Sequence, residues 1–207
     1  MSAHACWSCK GPVDGTAFCP TCAAIQPPKP NENLFEFLGL PQGYEVDLQA
    51  LEAACLRLQQ QFHPDKFAVQ ADTARRFAME YATRLNEAQQ ILKSPLQRAI
   101  YLLDVLGGEA TTESGGSQDP MFLMEVMELR EQLEDLDDEA DDVWDRLEAL
   151  KDEVGRLAGD EISDLTSAFA KQDGDADWMV VIARHIDRLR YHTKFLEEVD
   201  RFEERLF

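Results

Sequence analysis

The chain has 207 residues, 44% hydrophobic and 9% aromatic, and its 40 Asp plus Glu against 20 Lys plus Arg give a formal net charge of −20. That balance excludes the basic face a duplex nucleic-acid binder needs and disfavours docking on anionic lipid, while the apolar share is ample for a buried core. No apolar run approaches the roughly 20 residues of a membrane-spanning helix, and neither a secretory h-region nor an Arg-rich transit pattern opens the chain, so a cytoplasmic, membrane-free protein is expected.

In chain order, residues 1–31 carry four of the five cysteines and close on Pro27-Pro28-Lys29-Pro30, a stiff extended linker. Cys6-x2-Cys9 and Cys19-x2-Cys22 have the spacing of two metal knuckles that close one tetrahedral site. So short a module cannot hold a fold on a core of its own, and a structural metal is the expected staple. Zinc is the leading ion, with iron in a rubredoxin-like four-sulphur site second. Disulfides suit a cytosolic-type chain poorly, and His4 is not needed as a ligand once four cysteines complete the site.

The second segment reads as helical. Asp47 caps a helix whose apolar stripe is Leu48, Leu51, Cys55, Leu58 and Phe62. It must stop near His63, because Pro64 disfavours α geometry in the residue before it. Cys55 sits in that stripe and reads as a small buried hydrophobe. A further helix spans about 72–93 with Phe77, Tyr81, Leu85, Ala88 and Leu92 inward, and Ser94-Pro95 then starts a short helix that ends before Gly107. Residues 108–118 are small and polar, a flexible connector.

Asp119-Pro120 opens the third segment, 119–207. Phe122, Val126, Leu129, Leu133 and Leu136 form the first stripe. Ala140, Val143, Leu147, Leu150, Val154 and Leu157 form the second, which continues past Gly159 through Ile162, Leu165 and Phe169. After a turn at Asp173-Gly174, a last helix carries Trp178, Ile182, Leu189, Leu196 and Val199 inward. Three amphipathic helices with short connections predict an antiparallel three-helix bundle, and breaks at Gly155, Gly159 and Gly174 weigh against a continuous coiled coil. The acidity belongs here: residues 107–207 carry −18, while 34–106 carry only −2. The fold class is therefore all-α: a small four-cysteine module over 1–31, a helical hairpin domain over 32–107, and the bundle.

The loop after the first long helix reads Gln61-Phe62-His63-Pro64-Asp65-Lys66-Phe67. A catalytic reading would make His63 a base oriented by Asp65, but no nucleophile motif or phosphate-binding loop accompanies it, so no enzyme activity is expected. Here the chain resembles a family. Residues 33–106 look like a J-domain with His63-Pro64-Asp65 as its signature. NLFEFLGLP at 33–41, QFHPDKF at 61–67, LNEAQQILKSPLQRAIYLL at 85–103 and FLMEVMELREQLED at 122–135 are similar to HscB, the J-type co-chaperone of iron-sulphur cluster assembly. The resemblance covers about 33–207, and the cysteine module resembles the form of the family seen in eukaryotes. It implies that His63, Pro64 and Asp65 engage a DnaK/HscA-type chaperone and stimulate its ATPase. Basic residues of the preceding helix usually assist, and here only Arg57 and, just after the tripeptide, Lys66 are at hand. Arg75 and Arg76 on the next helix are candidates to compensate.

Helix geometry gives a second surface. At about 100° per residue, Leu123, Met127 and Met124 point roughly 100°, 140° and 200° away from the core residue Phe122. On the last helix Tyr191 lies about 200° from Leu189 and reads as outward, with Phe195 one turn on. Flexible methionines suit a protein partner. The HscB resemblance implies that Leu123, Met124, Met127, Glu128, Arg130, Glu131 and Tyr191 bind the iron-sulphur cluster scaffold protein. His185 and His192 read as structural, and the nine acids from Glu131 to Asp145 as a solvated stretch rather than a calcium loop. The expectation is a monomeric adaptor that joins scaffold to chaperone. A rubredoxin-like electron carrier and a J-type adaptor for an unrelated client are the alternatives.

Overall fold

The structure, a computed structural model, describes residues 4–30, 32–108, 119–171 and 177–206. The expected connector at 108–118 and the turn at 173–174 lie almost wholly outside the described residues. The chain divides into two compact units, 1–94 and 95–207.

In the first unit, two short antiparallel strands, β1 (His4–Ala5) and β2 (Pro12–Val13), flank the Cys6–Cys9 knuckle, and a bridge between Phe18 and Ile25 flanks the Cys19–Cys22 one. Helix α1 (Leu34–Leu38) is set by a capping box: the Asn33 side chain accepts from the Glu36 N–H, and the Glu36 carboxylate accepts from the Asn33 N–H. Gly39 ends it at φ 71°, a left-handed position that suits glycine. Helix α2 (Leu48–Phe62) starts where Asp47 accepts from the amides of Gln49 and Ala50, and buries Leu51, Ala54, Cys55, Leu58 and Phe62. Leu48 points out instead. A 3-10 turn (Pro64–Phe67) leads to α3 (Asp72–Lys93), which packs on α2 as the second arm of a hairpin with Ala74, Phe77, Ala78, Tyr81, Leu85, Ala88 and Leu92 buried. Burying each Leu or Phe of these stripes is worth about 1.5–3 kcal/mol.

In the second unit, α4 (Pro95–Val105) packs against the last helix. It therefore groups with the bundle residues, whereas its sequence was read together with the hairpin. Ser94 is extended at ψ 122°, as a residue before proline prefers, and this separates α4 from α3. Helices α5 (Pro120–Glu134), α6 (Val143–Ala170) and α7 (Asp177–Glu203) form the antiparallel bundle. Leu129 of α5, Leu147, Leu150 and Val154 of α6, and Phe195 and Val199 of α7 make one core cluster. α6 runs unbroken through Gly155 and Gly159, which both lie on its exposed side, in line with a stripe that continues past Gly159. Packing of the stripe on both neighbours outweighs the weak helix propensity of two glycines.

Partly buried ion pairs lace the bundle. Asp119 caps α5 by accepting from the Met121 N–H and also pairs with Arg188 of α7. His185 meets Glu161 at 2.6 Å, Arg188 reaches the same carboxylate at 3.4 Å, and the buried His192 pairs through Nε2 with Glu125 at 2.9 Å. The structural reading of both histidines agrees with these contacts. The acids from Asp137 to Asp142 stand exposed in the turn between α5 and α6.

Candidate functional site: a thiolate centre, an exposed loop and an apolar helix face

The two Cys-x2-Cys segments fold as equivalent knuckles. In each, the first cysteine's amide donates to the carbonyl five residues on (Cys6 to Gly11, Cys19 to Ala24), and the residue after the second cysteine donates back to the first cysteine's carbonyl. Those two residues, Lys10 and Ala23, both take positive φ, 62° and 58°. The turn so formed aims two sulphurs at one point. Cys6 Sγ lies 3.8 Å from Cys22 Sγ and Cys9 Sγ 3.7 Å from Cys19 Sγ, and all four sulphurs fall within 4.8 Å of one another. Sulphurs about 2.3 Å from a central ion form a tetrahedron with edges of roughly 3.8 Å, so the donor set fits a metal ion.

The surroundings act unequally on the thiols. Burial opposes ionisation of Cys6, but the amides of Cys9 and Ser8 and the Gln26 side chain overcome it and bring the thiol down to about 6. Cys9 accepts from the Gly11 N–H yet is pushed up to about 11 by the neighbouring sulphurs, Cys22 first among them. Four such groups cannot all ionise side by side without a cation between them. A metal bound there would supply the cross-link that the module's core, which among the described residues includes Cys6, Val13, Cys19 and Ile25, is too small to replace.

The second feature is the turn at the end of the hairpin. His63 ends α2, and its Nδ1 accepts from the Asp65 amide at 3.3 Å, with the Asp65 carboxylate 3.7 Å away. Pro64 fixes the first position of the 3-10 turn, and Phe67 anchors its far end in the core. The His63 and Asp65 side chains are 48% and 90% exposed, so the tripeptide is presented outward on a backbone secured at both ends. The basic residues around it are partly committed. Arg57 donates to the Leu38 carbonyl at 3.2 Å, Arg75 pairs with Asp72, and Arg76 pairs with Glu80 at 3.4 Å. Arg75 and Arg76 thus supply little unpaired charge, and Lys66 stands exposed beside the turn.

Helix α5 supplies the third feature. While Phe122 and Leu129 are buried, Leu123, Met124 and Met127 are 46%, 56% and 70% exposed, and Glu128, Arg130 and Glu131 are exposed around them. Met121, at 73%, extends the same apolar surface and escaped the sequence reading because it precedes the stripe used as reference. Tyr191 and Phe195 depart from expectation. Phe195 is buried in the core, and Tyr191 is half-buried, stacked on Phe195, edge-on to Phe122 and donating to the Val126 carbonyl at 3.4 Å. The cause is periodicity. Over α7 the buried set Ile182, Ile186, Leu189, His192, Phe195 and Val199 drifts round the helix as its neighbours change, so an angle measured from Leu189 alone fails six residues later. Arg130 lies over the Tyr191 ring at 6.0 Å, which links Tyr191 to the exposed side of α5.

A further cluster, Glu161, Asp164 and His185, also brings three potential ligand atoms within 4.8 Å, but Arg188 already compensates Glu161 there. Among the described residues, no helix is long and apolar enough to cross a membrane.

A co-chaperone HscB homologue of Vibrio atlanticus (strain LGP32) is 37% identical over 174 residues, which make up 84% of this chain and 98% of the relative. The chain belongs to the HscB family. The HscB homologue of Aeromonas salmonicida (strain A449) is likewise 37% identical over 175 residues, again 84% of this chain and 98% of its own. The family model described as the HSCB C-terminal oligomerisation domain matches residues 118–200. Among solved structures, human co-chaperone HscB superposes with a TM-score of 0.87 at 26% identity, covering 96% of this chain and 98% of its own. HscB from Vibrio cholerae does so with a TM-score of 0.72 at 36% identity, covering 84% and 99%. The N-terminal four-cysteine cluster is present here as in human HscB. HscB proteins are J-domain co-chaperones and not enzymes, which agrees with the reading of His63 as something other than a catalytic base.

Proposed function

We propose that this HscB protein brings an iron-sulphur cluster scaffold protein to a DnaK/HscA-type chaperone and accelerates the chaperone's ATP turnover. The observation that carries the reading is the His63-Pro64-Asp65 turn, exposed at its side chains and fixed at both ends by Phe62 and Phe67. Its role is to meet the chaperone; the bond broken is in the chaperone's ATP, and His63, Pro64 and Asp65 act by contact alone. Arg57 and Lys66 add the positive charge available near the turn.

The scaffold binds the exposed side of α5 through Leu123, Met124 and Met127, with Met121 beside them. Glu128, Arg130 and Glu131 form the polar rim, and Tyr191 supports Arg130 from α7. An apolar centre with a charged rim is the usual anatomy of a specific protein interface. Cys6, Cys9, Cys19 and Cys22 hold zinc as a structural ion, since a closed four-thiolate tetrahedron suits that metal and leaves no position open for chemistry. The iron-sulphur cluster is the cargo of the scaffold.

Two variants separate the surfaces. A Leu123/Met124/Met127→Ser chain loses the scaffold in pull-down while it still stimulates the chaperone's basal ATPase. A His63→Gln chain retains the scaffold and loses stimulation. A triple-serine chain that holds the scaffold as tightly as the parent would overturn the assignment of α5.

A further inference from the structure

Each knuckle of the cysteine module sends one aromatic side chain onto the hairpin. From the first, Trp7, between Cys6 and Cys9, meets Phe77 of α3 edge-on at 6.4 Å, and its Nε1–H donates to the Ile25 carbonyl at 2.6 Å. From the second, Phe18, adjacent to Cys19, lies parallel to Phe62 of α2, with ring centroids 5.7 Å apart and planes 2° from parallel. Phe62 also stacks on Tyr81 of α3 at 3.9 Å and 3°. Phe62 is thus the middle ring of a three-ring stack, 3% exposed, and it is covalently joined to His63. Below the module, the Arg84 guanidinium donates to the carbonyls of Lys29 and Glu32, so the linker too is fixed on α3.

We infer that the metal-ordered cysteine module braces the His63–Asp65 turn, with Phe18 as the positioning residue that holds Phe62 and, through it, His63. The inference rests on the co-chaperone reading for its consequence and on the ring stack for its mechanism. The turn is held at its far end by Phe67 and at its near end by Phe62, so Phe62 fixes the direction in which α2 releases the chain into Pro64. Phe18 lies parallel against that ring. The segment carrying Phe18 has almost no core of its own, so its order depends on the four thiolates and their ion. Removing the metal frees Phe18, uncovers Phe62 and loosens the residue that precedes His63. Metal occupancy thereby becomes an input to chaperone engagement, through two rings and one peptide bond.

The test uses the full chain with its metal. Hydrogen exchange is followed by mass spectrometry over 58–70, beside chaperone ATPase stimulation and metal content, for the parent, Phe18→Ala, Phe18→Tyr and His63→Gln. Loss of one stacked ring predicts exchange on the order of threefold to tenfold faster in 60–67 for Phe18→Ala, with the metal retained, helical content unchanged and stimulation reduced. Phe18→Tyr keeps the stack and restores both readouts. Chelation of the parent reproduces the exchange pattern of Phe18→Ala, which keeps the test decisive if that variant folds poorly. His63→Gln loses stimulation, and its change in exchange is confined to the Asp65 amide whose acceptor it removes. Unchanged exchange in 60–67, either in metal-bound Phe18→Ala or in the metal-free parent, would refute the brace. A parent chain that fails to stimulate the chaperone would instead refute the co-chaperone reading, and the exchange comparison would still decide the brace.

Discussion

At the residue scale, the three functional features use side chains in three physical states. The cysteines crowd four sulphurs into a site that fits a cation, His63 and Asp65 are exposed on a fixed backbone, and Met121, Met124 and Met127 are apolar groups left in water. Single residues also show where local propensity yields to packing. Gly155 and Gly159 have weak helix propensity, yet both lie within α6 on its outer side, where an added methyl group would meet nothing within 4 Å. Replacing either by alanine removes backbone freedom from the unfolded chain without a clash. The expected gain is about 0.5–1 kcal/mol each, read as a higher urea midpoint with an unchanged denaturant slope. A loss of stability in either variant would show that these glycines make a close approach the structure does not contain.

At the element scale, α5 has two faces with opposite tasks. Leu129 is 1% exposed in the core shared with α6 and α7, whereas Met124 and Met127 point into solvent. Leu129→Ala is expected to cost about 2–5 kcal/mol, while Met124→Ser and Met127→Ser stay within about 0.5 kcal/mol of the parent, the range of ordinary surface changes. Chemical unfolding of the three variants checks the contrast; equal losses would mean that the exposed face is packed. Much of this was legible in sequence, because an amphipathic stripe states which residues face inward, and the caps at Asp47 and Asp119 sit where short polar side chains precede apolar periodicity. The pairing of Cys-x2-Cys knuckles was legible for the same reason, since spacing alone brings the sulphurs together. What escaped was set by neighbours distant in sequence. The side of α7 that is buried changes along its length, so Phe195 could not be placed from Leu189, and α4 joins α7 through contacts that no local pattern records. The aromatic contacts of Trp7 and Phe18 were equally hidden: their one local signal is that large rings stand beside metal-ligand positions in a module too small to bury them.

At the scale of the whole molecule, charge and function divide together. Residues 34–106, which carry the His63–Asp65 turn, are nearly neutral at −2, and residues 107–207, which carry α5 with its exposed apolar face, hold −18. A field of that sign around a small apolar surface selects a basic partner and speeds its approach. Scaffold association is therefore expected to slow by roughly tenfold between low salt and about 0.5 M, mainly in the on-rate, as screening shortens the field to a few ångströms. A salt-independent on-rate in a stopped-flow titration would remove charge from the account and leave the apolar contact alone. The central claim is that the exposed turn at His63 acts on a partner's ATP hydrolysis. It is tested most directly by the steady-state ATPase of the DnaK/HscA-type chaperone with the parent chain and with His63→Gln at equal concentration. The account predicts clear stimulation by the parent and none by the variant, with both chains equally folded; stimulation that survives the substitution would contradict it.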